Sequence, residues 1–147
     1  MIHLEQVTPE NWRLGLKVKD EQCGFVSDTA GILARAWAYR EHGSRVFVIY
    51  WDQIPVGMAL YYGLDELQAY DFSQLFIDER VQGKGYGFEA ARQILDLMKD
   101  DGKFGKVVLC YVEGNTAAKH LYEKLGFYHT GESDGSEIIM EKIFYTQ

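Results

Sequence analysis

A glycine-rich segment, residues 82–88, is the part of this sequence whose composition best suits chemistry. Gly83, Gly85 and Gly87 lie between a strand-like run and a helix-like run. Because glycine has no β-carbon, a ligand can approach the backbone N–H groups of such a loop closely. The first turn of the following helix adds free N–H groups and the positive end of the helix dipole. The glycine segment therefore predicts a phosphate-binding loop.

Two familiar phosphate-binding motifs do not describe the glycine segment. A P-loop requires G-x-x-x-x-G-K-[ST], but Asp78 lies five residues before Gly83, and neither Ser nor Thr follows Lys84. A dinucleotide fingerprint that begins at Gly83 requires glycine or alanine where the sequence has Phe88. That fingerprint also belongs near the first strand of a fold. Both interpretations are therefore disfavoured.

A third pattern, Q/R-x-x-G-x-G/A, is matched by Gln82, Gly85 and Gly87. The match falls at the predicted junction between a strand and a helix. The alternative is a glycine-rich turn that only allows the strand and the helix to pack closely. The short motif alone leaves both interpretations open.

A second motif lies one helix and one strand further along the chain. The stretch from Asn115 to Phe127 fits the pattern N-x-x-A-x-x-x-Y-x-x-x-G-F. Asn115 is a good helix N-cap, and Gly126 followed by Phe127 is a good helix stop. Asn115, Ala118 and Tyr122 share one helical face, over about 10 Å of the helix axis. The small Ala118 leaves room for an extended ligand along that face, although each residue also has a purely structural interpretation.

Hydrophobic periodicity predicts the elements that position these motifs. Strands are predicted over residues 2–7, 45–51, 54–64, 70–77, 106–112, 128–132 and 137–144. Helices are predicted from Thr8, from Ser27 or Asp28 to His42, from Gly85 to Asp101, and from Asn115 to Leu125. The resulting order, β-α-α-β-β-β-α-β-α-β-β, indicates an α/β fold with a central mixed sheet. Because no linker interrupts this order, residues 1–147 are expected to form a single domain.

Composition and charge narrow the class of protein. The chain has 147 residues, with 15 Lys and Arg against 22 Asp and Glu, for a formal net charge of −7. This charge disfavours nucleic acid as a partner and favours small cations. Cys23 and Cys110 form no paired-cysteine motif, no histidine spacing suggests a metal, and no apolar run approaches a membrane span. We therefore expect no metal, no membrane contact and a cytoplasmic location.

The two motifs, in this order and at this separation, resemble those of the GNAT superfamily of N-acetyltransferases. The chain looks most like the bacterial spermine/spermidine N-acetyltransferases, because the run from Phe76 to Gly85 resembles their FIDERYQGKG segment. Residues 56–59 resemble their V-G-F-A/I strand. The resemblance implies the GNAT fold, whose mostly antiparallel sheet has splayed fourth and fifth strands. It also implies acetyl-CoA as the cosubstrate, and it suggests a homodimer.

The same resemblance implies a set of contacts with acetyl-CoA. Backbone groups of residues 75–77 would bind the pantetheine arm and the acetyl carbonyl, and the amides of the glycine segment would bind the pyrophosphate. Asn115 would contact the arm, and Tyr122 would face the thiol. The residues expected to bind acetyl-CoA are Leu75, Phe76, Ile77, Gln82, Gly83, Lys84, Gly85, Tyr86, Gly87, Phe88, Asn115, Ala118 and Tyr122.

Transfer of an acetyl group to an amine has its own chemical requirements. The pKa of an alkyl ammonium is about 10.4, so forming the free amine at pH 7 costs about 4.6 kcal/mol. A carboxylate or a water chain must take up the proton, and the candidate bases are Asp71 and Glu113, which could equally be solvated carboxylates at strand ends. Tyr122 is the candidate general acid, because a tyrosine hydroxyl can donate a proton to the leaving thiolate.

The resemblance implies a polyamine acceptor such as spermidine or spermine. The residues expected to bind it are Glu21, Gln22, Phe25 and Ser73. Polyamine acetyltransferases related to the human enzyme carry acidic residues on strand four, where this chain has Ser73 and Gln74. Two alternatives are another acceptor (a protein N-terminus, lysine, an aminoglycoside or another small amine) and a noncatalytic module that binds coenzyme A.

Overall fold

A seven-stranded sheet forms the centre of the fold in the computed structural model, which describes residues 1–145. Its strands are β1 (Ile2–Gln6), β2 (Arg45–Trp51), β3 (Ile54–Leu64), β4 (Ala69–Ile77), β5 (Lys106–Val112), β6 (Tyr128–Asp134) and β7 (Glu137–Ile143). The α-helices are α1 (Thr29–Ala38), α2 (Tyr86–Asp101) and α3 (Thr116–Lys124). The strand order is β1-β2-β3-β4-β5-β7-β6, with β4 and β5 parallel and the other neighbours antiparallel. The expected α/β fold with a mixed, mostly antiparallel sheet is confirmed.

The helices bury apolar residues against both faces of this sheet. Ile94 and Met98 of α2, one helical turn apart, belong to a buried cluster that includes Leu109 of β5. On the opposite face, Ile32 of α1 belongs to a second cluster that includes Leu60 of β3. Because successive side chains of a strand point to opposite faces, the nearly continuous apolar run of β3 fills both clusters.

The parallel strands β4 and β5 separate soon after they meet. Their register contains two residue pairs, Tyr70 with Val107 and Asp71 with Val108. Beyond these pairs the strands diverge toward their carboxyl ends, which confirms the expected splay. The divergence leaves a gap in the sheet between the second half of β4 and the second half of β5.

A β-bulge bends β4 at the start of this gap. Leu60 of β3 pairs with Gln74, whereas the next residue, Tyr61, pairs with Phe72. Ser73 is therefore an extra residue on β4, opposite no partner on β3. A bulge of this kind increases the local twist and redirects the strand, and bulges are common beside active sites.

The helix predicted from Thr8 is absent, and this prediction is wrong. The amide of Thr8 donates to Asn11 Oδ1 at 2.6 Å, and Asn11 Nδ2 donates to the Gln6 carbonyl at 3.1 Å. These bonds close a turn, and Gly15 then adopts a left-handed conformation at φ 72°, which an α-helix cannot contain. The apolar residues of the segment are also too few to bury a helix face, since Trp12 is 46% exposed. Between β1 and α1 the structure has a 3-10 turn, Asp20–Gln22, in place of the predicted helix.

Asp78 fastens the carboxyl end of β4 to the N-terminal segment. Its carboxylate is buried and accepts hydrogen bonds from the Lys17 amide at 3.0 Å and from the Arg80 side chain at 2.6 Å. Burial alone would raise the pKa of Asp78, but the hydrogen bonds from Arg80 and Lys17 outweigh it and lower the pKa. The resulting stabilisation is present above the ordinary aspartate pKa and is lost as the pH falls below it. Asp78 thus fixes the point from which the glycine segment begins.

We expect Asp78→Asn to lower the free energy of unfolding by about 1 to 3 kcal/mol, because an amide oxygen cannot accept all the bonds that the two carboxylate oxygens now accept. Urea denaturation at neutral pH measures the loss. Glu79→Gln is the matched control, since Glu79 makes a surface ion pair with Lys17 at 3.6 Å, for which we expect a loss below about 1 kcal/mol. Equal losses in the two variants would contradict this role of Asp78.

Candidate functional site

The glycine segment leaves the N-terminus of α2 without a side-chain cap. Gly83 and Gly85 adopt left-handed conformations, at φ 79° and 83°, and Gly85 is the N-cap of α2. A β-carbon added at either glycine would meet no other atom within 4 Å, so packing between strand and helix does not require glycine there. The backbone conformation does require it. Within residues 1–145 no side chain caps this helix start, which leaves its first N–H groups available to an anion.

Gln82 holds the glycine segment against the end of β4. Its side-chain Nε2 donates to the Ile77 carbonyl at 2.9 Å and to Gln22 Oε1 at 2.9 Å. Gln22 Nε2 donates back to Gln82 Oε1 at 3.3 Å, so the two amides form a reciprocal pair. Gln82 therefore contributes its side chain to positioning, which leaves backbone groups to face the neighbouring cavity.

A first cavity of about 240 Å³ extends from the glycine segment to α3. Its lining comprises Val18, Gln22, Phe25, Val26, Leu75, Phe76, Ile77, Gln82, Gly83, Gly85, Tyr86, Gly87, Asn115, Ala117, Ala118, Leu121 and Tyr122. This set contains most of the residues that the two sequence motifs had singled out. The separation of β4 from β5 is what allows α3 to approach β4 here. The cavity therefore combines the uncapped N-terminus of α2 at one end with a largely apolar channel.

A second cavity of about 170 Å³ lies in the gap between β4 and β5. Its lining comprises Phe25, Val26, Arg35, Asp71, Phe72, Ser73, Gln74, Leu75, Cys110, Tyr111, Val112, Asn115, Ala118, Tyr122 and Glu137. The two cavities share a wall to which Phe25, Leu75 and Tyr122 contribute. The second cavity is the more polar of the two, since it holds the charged side chains of Arg35, Asp71 and Glu137.

Tyr122 lies where the two cavities meet. Its ring packs edge-on against Phe72 and Phe127, with centroid separations of 6.1 and 5.6 Å. Burial raises the pKa of its hydroxyl well above the usual tyrosine range. The Tyr122 hydroxyl makes no hydrogen bond within residues 1–145. Every fully buried side-chain polar atom in that range has a hydrogen-bond partner, so the Tyr122 hydroxyl is not fully buried. The hydroxyl must therefore open onto the cavities, as a protonated donor at neutral pH.

Asn115 begins α3 at the same junction. Its Oδ1 accepts a hydrogen bond from the Ala118 amide at 3.2 Å, which is the expected N-cap bond. The capping role leaves the Nδ2 group of Asn115 as a donor, and Asn115 lines both cavities. Ala118 also lines both cavities, and its small side chain keeps the passage between them open.

The second cavity contains the carboxyl group of Asp71, whose pKa is raised. Burial raises the pKa of its carboxyl group to about 6, and Glu137 acts in the same direction. The neighbouring Tyr62 hydroxyl and the positive charge of Arg35 act to lower the pKa, without cancelling the effect of burial. Asp71 is therefore ionised at neutral pH, yet it binds a proton more readily than an exposed aspartate does. Such a carboxylate suits general-base chemistry near pH 7.

The other candidate base and several candidate ligands lie outside the two cavities. Glu113 is exposed at the end of β5 and lines neither cavity. Glu21 is also exposed and lines neither cavity. Lys84 and Phe88 border the glycine segment without contributing to either lining, and Lys124 Nζ lies 4.9 Å from the centroid of the Phe88 ring. In contrast, Phe25 lines both cavities and Ser73 lines the second.

Some residues of the second cavity had no signal in the sequence. Arg35, Cys110 and Glu137 come from α1, β5 and β7, and nothing in their local sequence relates them to Asp71. Glu137 reaches the cavity because β7 pairs with β5, which places Glu137 opposite Val112. Such a relation depends on strand pairing, so local motifs could not reveal it.

Two absences hold for the part of the chain that the structure describes. Residues 1–145 contain no group of three or more His, Cys, Asp or Glu side chains placed to bind a metal ion. No helix in that range is both long and apolar enough to cross a membrane.

Known proteins resemble the chain in sequence over most of its length. The model of the acetyltransferase (GNAT) family matches residues 9–127. The spermine/spermidine N(1)-acetyltransferase of Bacillus subtilis is 28% identical over 155 residues, which cover 97% of this chain and 99% of that protein. Both matches agree with the resemblance carried by the glycine segment and the Asn115–Phe127 motif.

Solved structures share the fold at low sequence identity. Spermidine N-acetyltransferase from Vibrio cholerae, in complex with CoA and spermine, has a TM-score of 0.77 and 18% identity, covering 97% of this chain and 95% of that chain. An aminoglycoside acetyltransferase in complex with coenzyme A has a TM-score of 0.79 and 15% identity, with coverage of 97% and 95%. These neighbours show that the splayed sheet is a fold that holds coenzyme A in other proteins.

We expect Asp71→Asn to stabilise the protein at neutral pH. The folded chain binds the Asp71 proton more readily than the unfolded chain does, so the wild type loses stability as the pH rises from about 4 through 6. The variant avoids this loss, and its free energy of unfolding should exceed that of the wild type by about 1 to 3 kcal/mol near pH 7.5. Urea denaturation at several pH values measures the difference, which should shrink toward pH 4.

Glu113→Gln is the matched control for this experiment, because it neutralises an exposed carboxylate outside the cavities. We expect it to produce no such pH-dependent difference. The burial of a charged Asp71 would be contradicted if the free energies of unfolding of Asp71→Asn and the wild type differed by the same amount near pH 4 and near pH 7.5.

Proposed function

The chain belongs to the acetyltransferase (GNAT) family, and from that membership we propose that it transfers the acetyl group of acetyl-CoA to a small cationic primary amine of the polyamine class, such as spermidine or spermine. The observation that carries the proposal is the meeting of two cavities at Tyr122. One cavity begins at an anion-binding loop, and the other contains a carboxylate that can take up a proton. A donor and an acceptor could thus approach each other from opposite sides.

The first cavity fits an extended ligand with an anionic end. Acetyl-CoA supplies the acetyl group in activated form, as a thioester. We infer that the N–H groups of residues 82–88 hold its pyrophosphate, because the start of α2 is uncapped and glycines 83 and 85 present open backbone. Residues 75–77 lie beyond the last pair with β5, and apart from the Ile77 carbonyl, which accepts from Gln82, the backbone groups on that edge of β4 are available to the pantetheine arm. Asn115 offers its Nδ2 group to the same arm.

Asp71 and Tyr122 divide the proton transfers between them in this proposal. Asp71 accepts a proton from the incoming ammonium, directly or through water, and its raised pKa makes this transfer easier than it is for an exposed aspartate. Tyr122 donates its hydroxyl proton toward the sulfur that leaves, and burial keeps that hydroxyl protonated beforehand. Each residue thus starts in the protonation state that its step requires.

The polyamine class of acceptor is supported by the negative charge of the second cavity and of the chain, and by the relative from Bacillus subtilis. The second cavity contains two carboxylates, Asp71 and Glu137, against the single guanidinium of Arg35. Phe25 adds an apolar surface suited to methylene groups. The formal net charge of −7 favours the approach of a polycation. The relative from Bacillus subtilis that covers nearly all of the chain is named for spermine and spermidine.

A second candidate function keeps acetyl-CoA and changes the acceptor. Ser73 and Gln74 provide no negative charge on β4, and Gln74 Oε1 accepts a hydrogen bond from the Ser27 amide at 3.1 Å. Arg35 also places a positive charge in the second cavity, which disfavours a polycation. These features favour an acceptor with fewer charges or with a different distribution of charge.

A panel of amines tests the proposal through release of free coenzyme A thiol. The panel contains spermidine, spermine, an aminoglycoside, lysine and a peptide with a free N-terminus. We expect kcat/KM for spermidine or spermine to exceed that for the others by about tenfold or more. Preferred turnover of another amine would favour the second candidate. Tight binding of acetyl-CoA without turnover of any amine would contradict catalysis and indicate a noncatalytic module.

We expect Tyr122→Phe to lower kcat by about 10² to 10⁴, because the leaving sulfur then lacks its proton donor. The dissociation constant for acetyl-CoA, measured by calorimetry, should stay nearly unchanged, since the ring remains in place. Tyr128→Phe is the matched control: Tyr128 bonds Glu141 at 2.7 Å and lines neither cavity. Equal kcat values in Tyr122→Phe and the wild type would remove the proposed role.

Several expectations from the sequence accompany this proposal as predictions of their own. They are a single domain over residues 1–147, a cytoplasmic location, a homodimer, no metal requirement, and no nucleic acid or membrane partner. Of these, the homodimer is the expectation that concerns the oligomeric state. Light scattering in solution measures whether the protein is a monomer or a dimer.

A further inference from the structure

We propose that the Tyr62 hydroxyl and the Arg35 guanidinium are positioning groups that hold the Asp71 carboxyl group ionised and fixed in the second cavity. The inference rests on the proposed function, because it takes Asp71 as the group that accepts the proton of the amine. It adds two residues that belong to neither sequence motif: Tyr62, opposite Asp71 in the sheet, and Arg35, in the lining of the same cavity.

Tyr62 is held rigidly beside Asp71 by the sheet and by a stacked ring. Tyr62 of β3 and Asp71 of β4 are directly opposite each other in the antiparallel register, so their side chains share one face of the sheet. Tyr62 is only 2% exposed. Its ring stacks on Tyr39, with a centroid separation of 4.0 Å and an interplanar angle of 15°. A side chain packed in this way has little freedom to move its hydroxyl.

The Tyr62 hydroxyl donates its single proton to Ser73 Oγ, and Asp71 lies on the same face of the sheet, two residues before Ser73. Ser73 Oγ lies 3.4 Å away, which is long for an O–H···O hydrogen bond. The Asp71 carboxylate is the stronger acceptor because it is charged. Ser73 can be reached because residues two apart on a strand point to the same face, so Ser73 shares the face of Asp71. The Tyr62 hydroxyl is therefore available to donate to Asp71 whenever Asp71 is ionised.

Four elements place titratable or charged groups around Asp71. Arg35 of α1, Cys110 of β5 and Glu137 of β7 line the second cavity together with Asp71, and Tyr62 of β3 lies opposite Asp71 in the sheet register. Burial and Glu137 raise the pKa of Asp71, whereas Tyr62 and Arg35 lower it, and the balance is about 6. Burial also raises the pKa of the Cys110 thiol, to about 11, so Cys110 stays neutral near pH 7. Tyr62 and Arg35 are thus what oppose the protonation of Asp71 at neutral pH.

The dependence of kcat/KM on pH tests this inference, with acetyl-CoA and whichever amine of the panel turns over best. The wild type should lose activity on the acid side as Asp71 is protonated. Tyr62→Phe and Arg35→Gln should each move the midpoint of this acid-side loss to higher pH. The shift lowers kcat/KM about threefold near the wild-type midpoint, and kcat/KM recovers at higher pH. Glu137→Gln should move the midpoint in the opposite direction.

Tyr61→Phe is the matched control for Tyr62→Phe. Tyr61 is equally buried, at 3% exposure, but its ring belongs to the cluster on the other face of the sheet. Its hydroxyl lies 3.4 Å from Arg45 Nη1, away from both cavities. The midpoint in Tyr61→Phe should equal that of the wild type. A general loss of stability would affect both tyrosine variants, whereas a positioning role moves the midpoint in one of them.

The outcomes separate this inference from the proposed function. If Asp71→Asn abolishes the acid-side loss while Tyr62→Phe and Arg35→Gln leave the midpoint unchanged, the positioning role is overturned and the base survives. If the acid-side loss persists in Asp71→Asn, both the base and its positioning are overturned. Arg35 is exposed, so Arg35→Gln reports on the inference even if Tyr62→Phe fails to fold.

Discussion

The separation of β4 from β5 after two residue pairs is the constraint on which the site depends. A strand that loses its neighbour on one side has backbone N–H and C=O groups that need other partners. Past Asp71, β4 has such groups along the edge that faces the gap, and the bulge at Ser73 falls at the start of this unpaired stretch. The face of α3 that carries Asn115, Ala118 and Tyr122 borders this gap and lines both cavities. Both cavities exist because the sheet is open at this point.

This opening has a cost in stability that other contacts offset. Asp71 is a carboxylate partly removed from water, and the uncapped start of α2 gives up the stabilisation that a side-chain cap provides. Asp78 and Gln82 fasten the connection between β4 and α2. Asp78 bonds Lys17 and Arg80, and Gln82 bonds Ile77 and Gln22. Functional sites commonly keep residues that lower stability.

The sequence allowed prediction of those features that depend on local chemistry. The glycine segment and the Asn115–Phe127 motif could be recognised because helix caps, left-handed glycines and i, i+4 spacing are local properties. The helix predicted from Thr8 was wrong because Asn11 closes a turn that the capping pattern of Thr8 and Pro9 does not reveal. The charged residues around Asp71 could not be foreseen, since Arg35 and Glu137 reach it through packing of α1 and pairing of β7.

A crystal structure of the protein with coenzyme A bound tests the central claim most directly. Our account predicts that the pyrophosphate lies within hydrogen-bond distance of N–H groups in residues 82–88, and that the sulfur lies beside the Tyr122 hydroxyl, facing the cavity that contains Asp71. A pyrophosphate bound elsewhere, or a Tyr122 hydroxyl directed away from the sulfur, would contradict it.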